Sequence, residues 1–285
     1  MPRLTLIAIA LLALAGCSGA KPAEPAEVPA PNPTAEVVDL SAHLRGLDGA
    51  FVLYDRNADR TVRHNPTRAA ARFSPCSTFK IPNSLIALDT DVATGAEFAI
   101  PWDREKDPPQ SWWAELGLDW ERDHTLASAL RNSVVWFYQE LARRIGAERM
   151  ASYLERFDYG NRDISGGIDR FWLTSTLAIS ADEQVGFLRR LYDERLGVSH
   201  DATEAVKQIL VLERGDGYTL SAKTGSGALG DGPALGWLVG WVEANGNVSF
   251  FAFNVSGDDA KAVRAARIDA AKEILRALGA LPAAR

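Results

Sequence analysis

The sequence predicts an α+β fold: an antiparallel β-sheet flanked by helices, with a helical subdomain inserted between its strands. Three observations lead there. Strand-like segments occur near both ends of the chain, helical periodicity fills the middle, and Asn245-Gly246 separates two β-rich runs as a hairpin signal.

The fold is expected to begin near Val37. Phe51 to Arg56 and Thr61 to Asn65 read as strands on either side of the polar break Asn57-Ala58-Asp59. Residues 78 to 89 carry Phe79, Ile81, Leu85, Ile86 and Leu88, the pattern of a largely buried helix, with Pro82 near its start where proline is tolerated. Helices are expected over Val134 to Arg144, Ala147 to Phe157, Ala181 to Tyr192 and Ala202 to Leu212. Gly146 stops the first of these, and Asp182-Glu183 suit the start of the third. Aromatic and β-branched residues then dominate Tyr218 to Lys223, Ala234 to Glu243 and Val248 to Val255, and Asp258 to Leu278 is an Ala-rich amphipathic helix.

The chain has 285 residues and a net charge of -6. That length suits one large domain or two closely joined subdomains. The acidic balance argues against a nucleic-acid partner, because phosphate binding needs a basic face. Arg3 followed by the uncharged run Leu4 to Ala15 reads as a signal peptide over residues 1–16, too short to span a bilayer. Small residues before Cys17 suggest cleavage there and lipidation of that cysteine; a cut elsewhere would leave Cys17 incidental. Residues 17–36 contain Pro22, Pro25, Pro29, Pro31 and Pro33 and read as an extended tether, which at about 3.1 Å per residue reaches roughly 60 Å. The folded domain is then residues 37–285, held in the periplasm and reaching a membrane through the lipid alone. With Cys17 lipidated, Cys76 has no disulfide partner.

Ser77-Thr78-Phe79-Lys80 places a hydroxyl and an amine one turn apart on one helix face. A lysine can act as a base toward serine when burial keeps it neutral. Alone the pattern is weak, since a capping serine and a surface lysine give the same spacing. Ser133-Val134-Val135 then opens a second helix, and Lys223-Thr224-Gly225 ends a predicted strand. The ordered trio is the signature of penicillin-recognising serine enzymes. No G-x-S-x-G elbow is present, and His43, His64, His124 and His200 lack ligand spacing, so neither a Ser-His-Asp triad nor a metal is expected.

The segments Pro75 to Ser84, Tyr159-Gly160-Asn161, Ile164 to Asp169, Phe171-Trp172-Leu173 and Phe251 to Asn254 resemble class D β-lactamases, the oxacillinase group, over about residues 48 to 278. The resemblance implies a β-lactamase/transpeptidase-like fold and a small-molecule β-lactam substrate, opened by Ser77. It implies that Lys80 is an N6-carboxylysine formed from carbon dioxide or bicarbonate, with no other cofactor. Phe79, Val135, Trp172 and Leu173 would surround this group. Ser133 would relay a proton and Lys223 would supply positive potential. The backbone N–H groups of Ser77 and Ser226 would bind the oxyanion. Thr224 of the Lys223-Thr224-Gly225 motif and Arg267 would hold the substrate carboxylate, with Arg264 the alternative one turn earlier. Tyr159-Gly160-Asn161 is expected to be both a turn and a wall of the site, and Cys76 a small buried neighbour. Residues 91–113 depart from the family pattern, and Ser226 to Gly232 is expected to be a Gly-rich loop. A β-lactam sensor and a cell-wall peptidase are the alternative functions, and the chain is expected to be a monomer or a homodimer.

Overall fold

The computed structural model describes residues 35–283. The signal peptide, Cys17 and almost all of the tether lie outside the described residues. Strands β1 (Glu36–Val37), β2 (Asp48–Asp55) and β3 (Arg60–His64) come first, followed by helix α1 (Pro66–Ala70). A 3₁₀ turn over Cys76–Phe79 leads into α2 (Lys80–Asp89). The helical middle holds the ribbon β4 (Ala99–Ile100) and β5 (His124–Thr125), with α3 (Ser111–Glu115) between them. It continues with α4 (Leu126–Arg131), α5 (Val135–Ile145), α6 (Ala147–Arg156), α7 (Ala181–Tyr192) and α8 (His200–Ile209). The chain closes with β6 (Val211–Gly215), β7 (Tyr218–Ala228), β8 (Ala234–Ala244), β9 (Asn247–Gly257) and α9 (Ala260–Ala277).

Among the described residues the main sheet has seven strands in the order β1-β3-β2-β9-β8-β7-β6. N-terminal β2 pairs antiparallel with C-terminal β9, from Asp48 opposite Ser256 to Asp55 opposite Ser249. The sheet is therefore assembled from both ends of the chain, as expected. One pair departs from the antiparallel expectation: β1 runs parallel to β3.

Alternate residues of each central strand feed two cores. Phe51, Leu53, Leu238, Phe251 and Phe253 face α9, where Val263, Ala270 and Ile274 cover them. Val52, Trp237, Val239, Trp241 and Phe250 face the helical subdomain. Burial on both faces explains why these strands read as nearly unbroken apolar runs. Asn245 and Gly246 both take positive φ, as a tight β8–β9 hairpin requires.

Several boundaries differ from the sequence reading. The helix expected to reach Leu212 ends at Ile209, because Val211 pairs with Ser221 and starts an edge strand. Lys223-Thr224-Gly225 lies within β7 rather than at its end. Ser226 to Ala228, expected in a loop, continue the ladder opposite Gly236 to Ala234. In each case cross-strand pairing overrides local composition.

Candidate active site

Cys76 has φ 50, a left-handed conformation uncommon for a residue with a side chain, and it turns the chain into the 3₁₀ segment that carries Ser77. In such a segment residues three apart lie nearly one above the other. Lys80 Nζ thus sits 2.9 Å from Ser77 Oγ. Lys80 is fully buried while Ser77 remains half-buried, so the hydroxyl is reachable and the amine is not. Burial pushes the Lys80 amine down to about 7. Helix α2 is enclosed along its length, with Lys80 to Ala87 all buried. Cys76 is buried too, and burial pushes its thiol up to about 11, which makes it a poor nucleophile.

Ser133 lies between α4 and α5 with φ 56. The Trp120 indole N–H donates to the Asn132 carbonyl at 2.9 Å and anchors this strained turn. Lys223, 4% exposed, donates from Nζ to Ser133 Oγ at 3.0 Å and to the Thr224 carbonyl at 3.1 Å. Burial, then repulsion from Lys80 and Arg267, holds the Lys223 amine well below its ordinary range. Arg267 Nη1 donates to the Gly225 carbonyl at 2.9 Å and contacts Ser226 Oγ. Arg264 instead reaches the Leu116 carbonyl at 3.4 Å. The register of α9 therefore brings Arg267, and not Arg264, to the Lys-Thr-Gly strand. At Gly225 an added Cβ would lie 3.0 Å from Trp237 Cβ and 3.1 Å from the Pro75 carbonyl, so the strand passes close to the turn before Ser77.

Phe79 is enclosed by three aromatic rings. Trp172 stacks on it at 5.4 Å, Phe171 meets it edge-on at 4.9 Å and Tyr159 at 5.7 Å. Trp172 is fully buried, yet its indole N–H has no hydrogen-bond partner. Val135 and Leu173 are half-buried against the same core. Tyr159 is fully buried behind Phe79, so it backs the site rather than forming an exposed wall. Its neighbours hold the Trp172 loop: Asn161 Oδ1 accepts from Ala178 N at 2.9 Å, and Asn161 Nδ2 donates to the Thr176 carbonyl at 2.8 Å.

Comparison with known proteins gives this arrangement a family. Residues 49–279 match the penicillin binding protein transpeptidase domain. The β-lactamase OXA-48 of Klebsiella pneumoniae is 45% identical over 207 residues, covering 73% of this chain and 75% of that one. A crystal structure of the class D β-lactamase YbXI from Nostoc superposes with a TM-score of 0.78 at 40% identity, covering 86% of this chain and 100% of the other. The chain belongs to the class D β-lactamases. The regulatory protein BlaR1 of Bacillus licheniformis is also 33% identical over 254 residues, but this chain spans 41% of it.

This class D β-lactamase also has site residues that the sequence reading passed over. Ser84 Oγ donates to the Lys80 carbonyl at 2.8 Å and lies 2.8 Å from the Tyr138 hydroxyl. Lys80 Nζ stands 5.3 Å from the centre of the Tyr138 ring. The Tyr138 ring thus lies beside the lysine amine, and Ser84 holds its hydroxyl. The available signal was a serine one turn beyond Lys80 inside an apolar run. Among the described residues, no group of three His, Cys, Asp or Glu side chains is placed to hold a metal.

Proposed function

We propose that this protein hydrolyses the amide of β-lactam rings through an acyl-enzyme on Ser77. The observation that carries the reading is the Ser77–Lys80 pair at 2.9 Å, with the amine sealed in an apolar pocket. Ser77 Oγ attacks the lactam carbonyl carbon as its proton passes to the base at Lys80, and the carbon–nitrogen bond breaks. Ser133, bonded to Lys223, passes a proton to the departing nitrogen. The backbone N–H groups of Ser77 and Ser226 receive the developing oxyanion. Thr224 and Arg267 hold the substrate carboxylate. Water then cleaves the ester and frees Ser77.

Two features support a carbamate on Lys80. A neutral amine adds to carbon dioxide and releases a proton, and the Trp172 indole N–H is a buried donor lacking an acceptor. When present, that carbamate supplies a carboxylate base for acylation and for deacylation. Export and lipid anchoring at Cys17 belong to the same proposal, and labelling with a radioactive fatty acid that Cys17→Ala abolishes is their test.

Purified protein is expected to hydrolyse a chromogenic cephalosporin, and Ser77→Ala to lose that activity completely. The rate should fall when bicarbonate is stripped below pH 7, where the Lys80 amine takes up a proton. A well-folded preparation without turnover would overturn the reading. The likeness to a regulatory protein favours one alternative, a sensor that is acylated and stays so. The lifetime of the acyl adduct by mass spectrometry separates the two.

The two arginines separate by kinetics. Arg267→Ala is expected to raise KM by roughly 10- to 100-fold, the loss of a charge-assisted bond to a carboxylate. Arg264→Ala should change KM by less than about twofold, as a substitution outside the site. Steady-state kinetics on both variants measures this.

A further inference from the structure

The indole N–H of Trp172 is useful only if the loop carrying it is held still. That loop runs out to solvent at once: Thr174 and Ser175 are exposed. Thr174 takes φ 50, a left-handed conformation that is a true outlier for a β-branched residue and persists only when its surroundings hold it.

Ser74, three residues before the nucleophile, supplies the hold. Its hydroxyl donates to the Trp172 carbonyl at 3.0 Å and accepts from the Thr174 amide at 3.0 Å. One side chain thus grips the backbone on both sides of Leu173. Ser74 is itself fixed. Its carbonyl accepts from the Trp237 indole at 3.0 Å, and its neighbour Phe73 exchanges backbone bonds with Ile179 at 3.0 and 2.9 Å. Strand β7 closes the other side. A Cβ on Gly227 would lie 2.5 Å from Cys76 Sγ and 2.7 Å from Thr174 Oγ1, so there is no slack around the clip.

We propose that Ser74 is a positioning residue whose hydroxyl clips the Trp172 loop and fixes the indole N–H as a donor to a carbamate on Lys80. This rests on the carbamate reading given above. Ser74 touches neither substrate nor the reacting atoms. It acts through Trp172, so its removal should weaken the hold on carbon dioxide rather than abolish chemistry.

The test compares wild type, Ser74→Ala, Trp172→Phe and the double variant, each titrated with bicarbonate after stripping. Activity is one readout. The carbamate carbon resonance from ¹³C-bicarbonate, recorded without substrate, is the second. Ser74→Ala is expected to need about tenfold more bicarbonate for half-maximal signal in both, as for a weakened bond to a charged group. Saturating bicarbonate should restore its turnover to within about twofold of wild type. In the Trp172→Phe background, Ser74→Ala should add nothing, because the two act through one bond. A bicarbonate requirement equal to wild type would overturn the proposal. So would a loss that saturating bicarbonate does not restore, or an effect that simply adds to that of Trp172→Phe. If Ser74→Ala does not fold, Ser74→Thr and Ser74→Val, alike in shape and differing in the hydroxyl, carry the same comparison. A wild type with no bicarbonate dependence and no carbamate resonance would overturn the carbamate reading itself, and this inference with it.

Discussion

Lys80→Ala is expected to take up a β-lactam slowly and then hold it. Ser77 keeps its place in the 3₁₀ turn and its reach to solvent, so the acyl-enzyme can still form. Its release needs a water to lose a proton, and no base remains beside Ser77. A positioned base is worth roughly 100- to 10,000-fold, and deacylation should slow by that order. Mass spectrometry should find the adduct after the wild type has cleared its substrate. Ser77→Ala should show no adduct at all. If Lys80→Ala turned over at the wild-type rate, another group would have to be the base.

The same substitution removes a dependence of stability on pH. The unfolded chain protonates this lysine near 10.5, whereas the folded chain does so only at about 7. Between those values the unfolded state holds the additional proton, so wild-type stability rises with pH across that window. Below it both states are protonated and the contribution is flat. Melting temperatures in carbon-dioxide-free buffer, at two pH values inside the window, should show a steeper rise for wild type than for Lys80→Ala.

Gly160→Ala is expected to destabilise the fold by about 2–4 kcal/mol. Gly160 takes φ 56, and an added Cβ would lie 2.1 Å from the Ala178 carbonyl oxygen. That oxygen accepts from Asn161 N at 2.9 Å, and it belongs to the segment returning from Trp172. Backbone cannot yield there as a flexible side chain could. The substitution should therefore lower the urea midpoint and also reduce turnover, through the displaced Trp172 loop. Unfolding curves and rates on one preparation check both. An unchanged midpoint would mean that the turn is loose.

Ser77, Lys80, Ser133 and Lys223 were legible because each belongs to a short motif whose spacing carries chemistry. The helix Ala181–Tyr192 was legible to the residue: Asp182 and Glu183 marked its start, where the structure adds a capping box between Ser180 and Glu183. The length of β7 was not legible. Small residues from Ser226 to Ala228 have weak strand preference, and their partners on β8 decide the matter. Arg267 and Arg264 differ by less than one helical turn, so only the seating of α9 on the sheet separates them. The role of Tyr159 was half legible: its turn was plain, but its place behind Phe79 depends on a packing of four rings contributed by three separate segments. Ser74 carries no motif at all. Its importance rests on contacts with residues about a hundred positions away, which no local pattern encodes.

The joining of β2 to β9 has a kinetic consequence. Some 200 residues separate partners such as Asp48 and Ser256, and closing so long a loop is entropically costly and slow. Neither end of the chain can complete the sheet without the other. The Ser77–Lys80 pair is translated early, but Lys223 and Arg267 arrive only with the last strands and helix. A nascent or truncated chain would carry the nucleophile without the groups proposed to hold a substrate against it. Rapid labelling of Ser77 by a fluorescent penicillin would thus act as a clock for the final step of folding.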